Sequence, residues 1–256
     1  MSEESRSWVP LSLPRAWMTE LAQLARAVPT ATVHRRMRLG RLAAARELSW
    51  PRPGWCAMFV KAYALLAQRR PELRRIYLPW PWPHLYEHPV NVASIAVART
   101  IGDEDAVFFA RMESPESLGL WDIERHVQHC REGLVESIPE FGQLIRWARL
   151  PWPARRVLGW AAHRVSGQWH AEHFGTFGVS TVAGHDALTL AAPSPWTVGL
   201  HYGPLGSDGG LDVCLTYDLR VRDAVSVARS LGELEDVLTG EIVNELGYMR
   251  DLEVAA

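Results

Sequence analysis

Few side chains in this chain of 256 residues are grouped in a way that could do chemistry. Asp218, Arg220 and Asp223 crowd the stretch Asp218-Leu219-Arg220-Val221-Arg222-Asp223-Ala224, where opposite charges can pair but no imidazole, thiol or hydroxyl stands among them. His126, His129 and Cys130 share a helical face at i, i+3 and i+4 and have the chemistry of metal ligands. No fourth ligand accompanies them and no glutamate stands in a zincin arrangement, so they read as histidines on an amphipathic helix and no metal site is expected. Among the ten histidines, His173, His201 and the adjacent His185-Asp186 pair are the candidates for moving a proton near neutral pH.

The elements that must position these groups are legible from periodicity. Leu211, Val213, Leu215 and Tyr217 alternate with Asp212, Cys214, Thr216 and Asp218, the pattern of a strand with one buried face. From Asp223 the period changes: Val227, Leu231, Leu234 and Leu238 form one stripe of an amphipathic helix. The charged stretch is therefore a strand-to-helix corner. The preceding strand, 196–203, is joined to 211–218 by the glycine-rich GPLGSDG. Pairing symmetric about Ser207 predicts that His201 faces Val213 and Trp196 faces Asp218, and at ~3.3 Å per residue it leaves His201 roughly 20 Å from Leu219.

Earlier in the chain, Pro14 opens a first helix with Trp17, Leu21 and Leu24 on one face. The basic stretch ATVHRRMRL (31–39) reads either as a solvated strand face or as a phosphate or nucleic-acid contact. A helix over 39–47, a breaker at Pro51-Arg52-Pro53-Gly54 and a buried helix from Trp55 follow. In LPWPWPHLYEHPV (78–90) proline restricts the backbone to extended conformations and fixes two large rings. Those rings form an aromatic wall for an acyl chain, a peptide or a neighbouring subunit, or they cover the protein's own core. Strands at 91–100 and 105–112, a helix at 118–132 and helices over 137–168 broken at Pro151-Trp152-Pro153 complete this half. The Arg and Trp residues of 146–160 interleave as in some nucleic-acid or membrane-surface segments, but no recognised module accompanies them, and neither partner is expected.

Composition narrows the classes further. Hydrophobic residues make up 48% and charged residues 22%, which is ordinary for a globular chain with a real core. A formal charge of -2 and a pI near 6.6 provide no general basic field. Cys56, Cys130 and Cys214 are odd in number and widely spaced, which argues against a disulfide framework and fits a reducing compartment. The acidic, polar start MSEESRSWVP lacks a signal-peptide pattern, and the run from Trp55 to Ala67 is too short to span a bilayer, so a cytoplasmic protein is expected.

The corner at 218–224 resembles the D-H-R-x-x-D-G signature of the acyltransferase components of 2-oxo acid dehydrogenase complexes, which share a fold with chloramphenicol acetyltransferase. Asp218, Arg220 and Asp223 match, Leu219 stands where the family has its catalytic histidine, and Ala224 stands where it has glycine. HFGTFGVSTV (173–182) is similar to the family's S-N-L-G-x-F-G-V segment, with Gly175, Phe177, Gly178 and Val179 in register. GWCAMFVKAYALLAQRRPEL (54–73) resembles a family helix ending in a P-E-L turn, and APSPWTVGLHYG (192–203) the family's proline-rich turn and strand.

The resemblance implies a two-layer α/β sandwich with a mixed sheet. It covers residues 28–256, after an N-terminal segment of 1–27 with one helix, and the helical element near 137–168 looks inserted. No lipoyl or peripheral-subunit-binding domain is visible, because Lys61, the only lysine, sits in an apolar helix rather than at a hairpin tip. In the family the histidine is the general base for a thiol attacking a thioester, and a serine of the S-N-L-G segment, from the neighbouring subunit, stabilises the oxyanion. Glu172 occupies the serine position here and His173 the asparagine position, with Thr176 or Ser180 as alternative hydroxyls. Glu172, Thr176, Phe177, Ser180, Trp196 and His201 are thus the candidate channel residues, and His173 is the alternative base. The resemblance further implies a homotrimer, or a hetero-oligomer with an active paralogue, and CoA, an acyl-CoA or a small acyl group as ligand, with no covalently bound cofactor. The expected function is that of a degenerate acyltransferase serving as a binding or assembly subunit. An active enzyme with a rearranged base is the alternative.

Overall fold

The computed structural model describes residues 9–190 and 195–254. The polar N-terminal stretch and the Ala-Pro-Ser part of the proline-rich turn, both interpreted above, lie outside the described residues. A six-stranded mixed sheet forms the centre. Its strands are β1 (Thr30–Arg38), β4 (Val92–Ile101), β5 (Glu104–Glu113), β6 (Phe177–Thr181), β7 (Val198–Leu205) and β8 (Gly210–Asp218), while β2 (Arg75–Leu78) and β3 (His84–Glu87) pair separately as a hairpin. The order is β1-β8-β7-β6-β4-β5, with β6 parallel to β4 and β7 and the other pairs antiparallel.

One face of the sheet carries the main core. Ile95, Phe108, Val179, Leu200, Val213 and Leu215 alternate onto it. They meet the buried helix α3 (Trp55–Arg69) together with α4 (Leu120–Glu132) and α8 (Ala224–Val237). This is the expected two-layer arrangement. Aromatic rings bridge the layers: Phe59 of α3 stacks on Tyr202 at 4.4 Å between centroids, and Tyr63 lies 4.5 Å from Phe177. Such a pair contributes roughly 0.5–1.5 kcal/mol beyond the area it buries. The helix α2 (Gly40–Leu48) packs on α9 (Val243–Val254), which continues α8 through a short π turn at Leu238–Ile242.

The second face is partly covered by α1 (Leu13–Ala25), α5 (Pro139–Ala148), α6 (Trp152–Arg164) and α7 (Gly167–Phe174), around a smaller cluster of Trp17, Leu21, Ala148, Ala162, Phe174 and Trp196. Ser12 caps α1 by accepting from the Arg15 backbone N–H. On this face Trp196 lies over Gly178, where a Cβ would come within 2.5 Å of the indole, so only glycine fits.

Three expectations change. Strand β8 is buried on both faces: its Cys214, Thr216 and Asp218 are covered as fully as Val213 and Leu215. A register irregularity between Tyr202 and Leu205 shifts the hairpin by one residue: His201 pairs with Cys214 rather than Val213, and the Asp218 N–H donates to the Thr197 carbonyl rather than lying opposite Trp196. Trp80 and Trp82 are 56% and 68% exposed, so they do not cover the core of this chain.

Two charged features also find their place. The basic stretch is the edge strand β1. His34 and Arg36 meet Asp212 at 2.8 Å, Arg36 also meets Asp208, and Arg35 meets Glu235, a charged edge of the kind that discourages further strand pairing. Lys61 is 8% exposed, and its ammonium donates to the Leu118 carbonyl at 2.6 Å and to Glu245 at 2.7 Å. Glu245 also accepts from the Leu120 N–H, so one carboxylate ties α3, α4 and α9 together. Glu245→Ala leaves that ammonium buried without its counter-charge and should cost about 3 kcal/mol, read as a lower denaturant midpoint. Lys61→Met with Glu245→Leu should recover much of the loss, and an unchanged midpoint in the single variant would show that the pair is fully screened by solvent.

Candidate functional site

The charged corner folds as a tight loop held by its own carboxylate. Asp218 is 2% exposed at the end of β8. Its Oδ1 accepts from the Arg220 backbone N–H at 2.9 Å and from Arg220 Nε at 2.9 Å, while Oδ2 accepts from Nη2 at 2.6 Å. The Asp218 carbonyl accepts from the N–H groups of Val221 and Arg222, both at 3.0 Å. A buried carboxylate must be paired, and a bidentate guanidinium does this with fixed geometry. The Arg220 guanidinium also lies 4.3 Å from the centre of the Tyr77 ring, a cation–π contact from β2. Nothing in the spacing of the sequence pointed to Tyr77.

Between these anchors Leu219 is 54% exposed, fixed through its N–H to the Pro29 carbonyl at 2.9 Å. Among the described residues Asp223 has no basic partner. It is the N-cap of α8, its Oδ1 accepting from the Ser226 N–H at 2.8 Å, and those backbone hydrogen bonds hold its carboxyl below the usual range. Ala224 is the first residue of that helix. The loop geometry therefore persists around a side chain that has no lone pair.

The other candidates do not converge on Leu219. His173 is exposed in the last turn of α7, and its Nδ1–H donates to the Trp169 carbonyl at 2.9 Å, which leaves the Nε2 lone pair free. Glu172 beside it is exposed and accepts from Gln168 at 2.9 Å. Thr176 is buried and committed to β4: its Oγ1 accepts from the Val92 N–H at 2.9 Å and donates to the Val92 carbonyl at 3.2 Å. Phe177 belongs to the main core against Tyr63 and lines no channel. Ser180 and His201 are paired neighbours on β6 and β7, and His201 is buried near Thr216 at 3.4 Å. Burial pushes the His201 imidazole down to about 4. Trp196 donates its indole N–H to the Phe174 carbonyl and bridges α7 to β7. His126 faces Cys130 at 3.7 Å while His129 is exposed, and among the described residues no three ligand-type side chains cluster to hold a metal.

Two histidines that sequence reasoning passed over lie behind the loop. His163 of α6 and His170 of α7 both donate Nε2–H to the Pro195 carbonyl at 3.2 Å, with ring centroids 5.2 Å apart and, among the described residues, no partner for either Nδ1. Burial pushes His163 down to about 4 and His170 to about 3, opposed by the Pro195 hydrogen bond and reinforced by Arg164 and Arg220 at His163 and by His163, His88 and His173 at His170. A sequence offers no signal for this pair, because the two residues meet only when α6 and α7 fold back on each other.

This α/β arrangement around a six-stranded mixed sheet is the acyltransferase fold of dihydrolipoamide acetyltransferase catalytic domains and chloramphenicol acetyltransferase. The chain is similar to dihydrolipoamide acetyltransferase of Azotobacter vinelandii, with 16% identity and a TM-score of 0.67 over 95% of each chain. It is similar at 17% identity and a TM-score of 0.63, again over 95% of each chain, to the cubic core of the pyruvate dehydrogenase multienzyme complex. Chloramphenicol acetyltransferase matches 87% of this chain with 94% of its own, at 13% identity and a TM-score of 0.51. No family model and no curated protein matches the chain. Identity at this level shows the fold.

Two outcomes follow from this geometry. Asp223→Ala removes the N-cap of α8 and should lower the melting temperature by a few degrees, while Asp223→Ser should largely restore it. Because His163 and His170 protonate less readily when folded than the ~6.5 of a free histidine, the unfolded chain takes up protons first. Stability should therefore be level above about pH 7 and fall from about 6.5 towards the folded values of about 4 and about 3. His170→Gln should make that fall shallower, with His163 and His201 still contributing, and an unchanged slope in this variant would show that His170 contributes nothing to acid sensitivity.

Proposed function

We propose that this chain is an acyltransferase-fold protein that no longer carries out efficient acyl transfer from a CoA thioester and works as a binding or assembly subunit. The observation that carries this reading is Leu219. The loop that would present a general base is intact, with Asp218 forked onto Arg220, yet its tip is aliphatic and half exposed. General-base action contributes about 10²–10⁴-fold in rate, and leucine supplies none of it. Glu172 supports the same reading, since an exposed carboxylate opposes a developing oxyanion where the family has a serine.

The assembly role draws on the cubic core that one structural neighbour forms. Exposed Leu219, Val225, Trp80 and Trp82 provide apolar surface for contact with further subunits, either as a homotrimer or beside a catalytically competent paralogue. Phe174 and Phe177 are buried within the chain and add nothing to such a face. CoA, an acyl-CoA or a small acyl group is the ligand class in keeping with this reading. Among the described residues no helix is long and apolar enough to cross a membrane.

The second reading is an active CoA-dependent acyltransferase with His173 as its base, favoured by the exposed ring and the free Nε2. Incubation with several acyl-CoAs and small thiols, with free CoA followed over time, separates the two. The wild-type chain should release no CoA above background. Release that disappears in His173→Gln would replace the leading reading with the second. Leu219→His with Ala224→Gly should create measurable transfer to a thiol, and adding Glu172→Ser should raise it by about 10²–10³-fold if that hydroxyl reaches the oxyanion. Light scattering should give the mass of three chains, and a monomer would count against the assembly role.

A further inference from the structure

A cavity of about 590 Å³ opens on the second face of the sheet, between β4, β5 and the helices α1, α5, α6 and α7. It does not touch the Asp218–Arg220 loop; of the candidate channel residues Thr176, Phe177, Ser180 and His201 take no part in it, while Glu172 and Trp196, with the alternative base His173, belong to its lining. Its walls are aromatic: Trp17 stands edge-on to Trp147 at 5.2 Å and to Phe109 at 6.5 Å, and Phe109 stands edge-on to Trp196 at 5.2 Å. Gln143, Arg146, Glu172 and His173 are exposed and mark the mouth. The volume lies within the roughly 300–1,000 Å³ of small-molecule sites.

Two polar atoms of lining residues have no hydrogen-bond partner among the described residues. Trp17 Nε1 and Ser94 Oγ are both buried without a hydrogen bond, in residues only 7% and 1% exposed. Buried polar groups of native proteins are almost always satisfied. An indole N–H only donates, so the molecule that satisfies it must bring an acceptor, and a serine hydroxyl accepts the same arrangement.

Charge decides what else that molecule carries. Arg111 and Arg146 are matched in the lining by Glu140 and Glu172. The Arg111 guanidinium already donates to the carbonyls of Glu172 and His173 and to Gln143 Oε1 at 2.9 Å, and burial lowers its pKa against the pull of Glu140 and Glu172. The cavity thus has no uncommitted net positive charge to draw in a carboxylate, still less the phosphates of a nucleotide. We infer that this cavity is a binding site for an uncharged, largely aromatic small molecule carrying a carbonyl or hydroxyl oxygen, which accepts from Trp17 Nε1 and meets Ser94 Oγ. The site is independent of whether the loop at Leu219 is catalytic.

Prodan, a neutral naphthyl ketone whose emission shifts to the blue in apolar surroundings, tests this with the full chain. It should bind one per chain, saturably, with a micromolar dissociation constant. Ser94→Ala removes one hydrogen-bonding atom and little volume, Trp17→Phe removes the indole N–H together with two ring carbons, and each should weaken binding about 5-fold, while Tyr248→Ala on the exposed side of α9 should leave it unchanged. Ala162→Phe puts a ring into the cavity and should weaken binding sharply. Should that variant fail to fold, Ser94→Ala and Trp17→Phe, checked by their melting curves, still decide the matter. Naphthalene-2-carboxylate should bind at least about 10-fold more weakly than prodan. No saturable shift, a shift untouched by both Ser94→Ala and Trp17→Phe, or tighter binding of the carboxylate would overturn the proposal and leave the two orphan groups to water.

Discussion

A single buried carboxylate sets the geometry around which the chain turns. Asp218 lies where an interior strand gives way to a covering helix: its N–H still donates to the Thr197 carbonyl and the Leu219 N–H to the Pro29 carbonyl, but there the pairing ends, and the carboxylate is left buried and in need of a counter-charge. The Arg220 fork solves this by folding back over two residues and placing its charge against the carboxylate, with Tyr77 closing the outer side. None of these contacts involves the side chain at 219. A loop whose stability comes from residues on either side of its tip can change the tip freely, and this accounts for a leucine in an otherwise well-formed corner.

Much of the fold was legible because its signals are local or periodic. The switch from alternation at 211–218 to a 3.6-residue stripe after Asp223 marks a strand and a helix, and the structure puts β8 and α8 there. The hairpin register was not legible: one irregularity near Gly203 shifts every pair by a residue, and no residue type announces it. The double burial of β8 was hidden for a related reason. Cys214 and Thr216 look like solvent-facing residues in a list of alternating types, and only the tertiary packing on the second face puts them under cover.

The candidate site was legible as a motif but not as an arrangement. The Asp218–Arg220 pair was visible in the spacing, and the capping role of Asp223 follows from its position before a helix. Thr176 and Phe177 were misread because a sequence similarity fixes which residues are near one another but not which side of a short strand each side chain takes. The aromatic cavity draws its rings from α1, β5, α5 and the start of β7, segments spread over nearly 180 residues, and each tryptophan taken alone looks like an ordinary core residue. The one hint was the recurrence of Trp and Arg between Arg146 and Trp160, which turned out to contribute Trp147 to the cavity wall and to leave Trp152 and Trp160 at the surface.

The buried Lys61–Glu245 contact has a consequence for the chain's surface reactivity. Because Lys61 is the only lysine, its burial leaves the surface without a side-chain amine, and arginine carries nearly all of the positive charge. Guanidinium groups stay protonated and are poor nucleophiles, whereas a free lysine amine attacks thioesters and activated esters. The folded protein can therefore sit among reactive acyl donors with no lysine on its surface to be acylated, and amine-directed crosslinkers and labels find no lysine to react with until the α3–α9 contact opens.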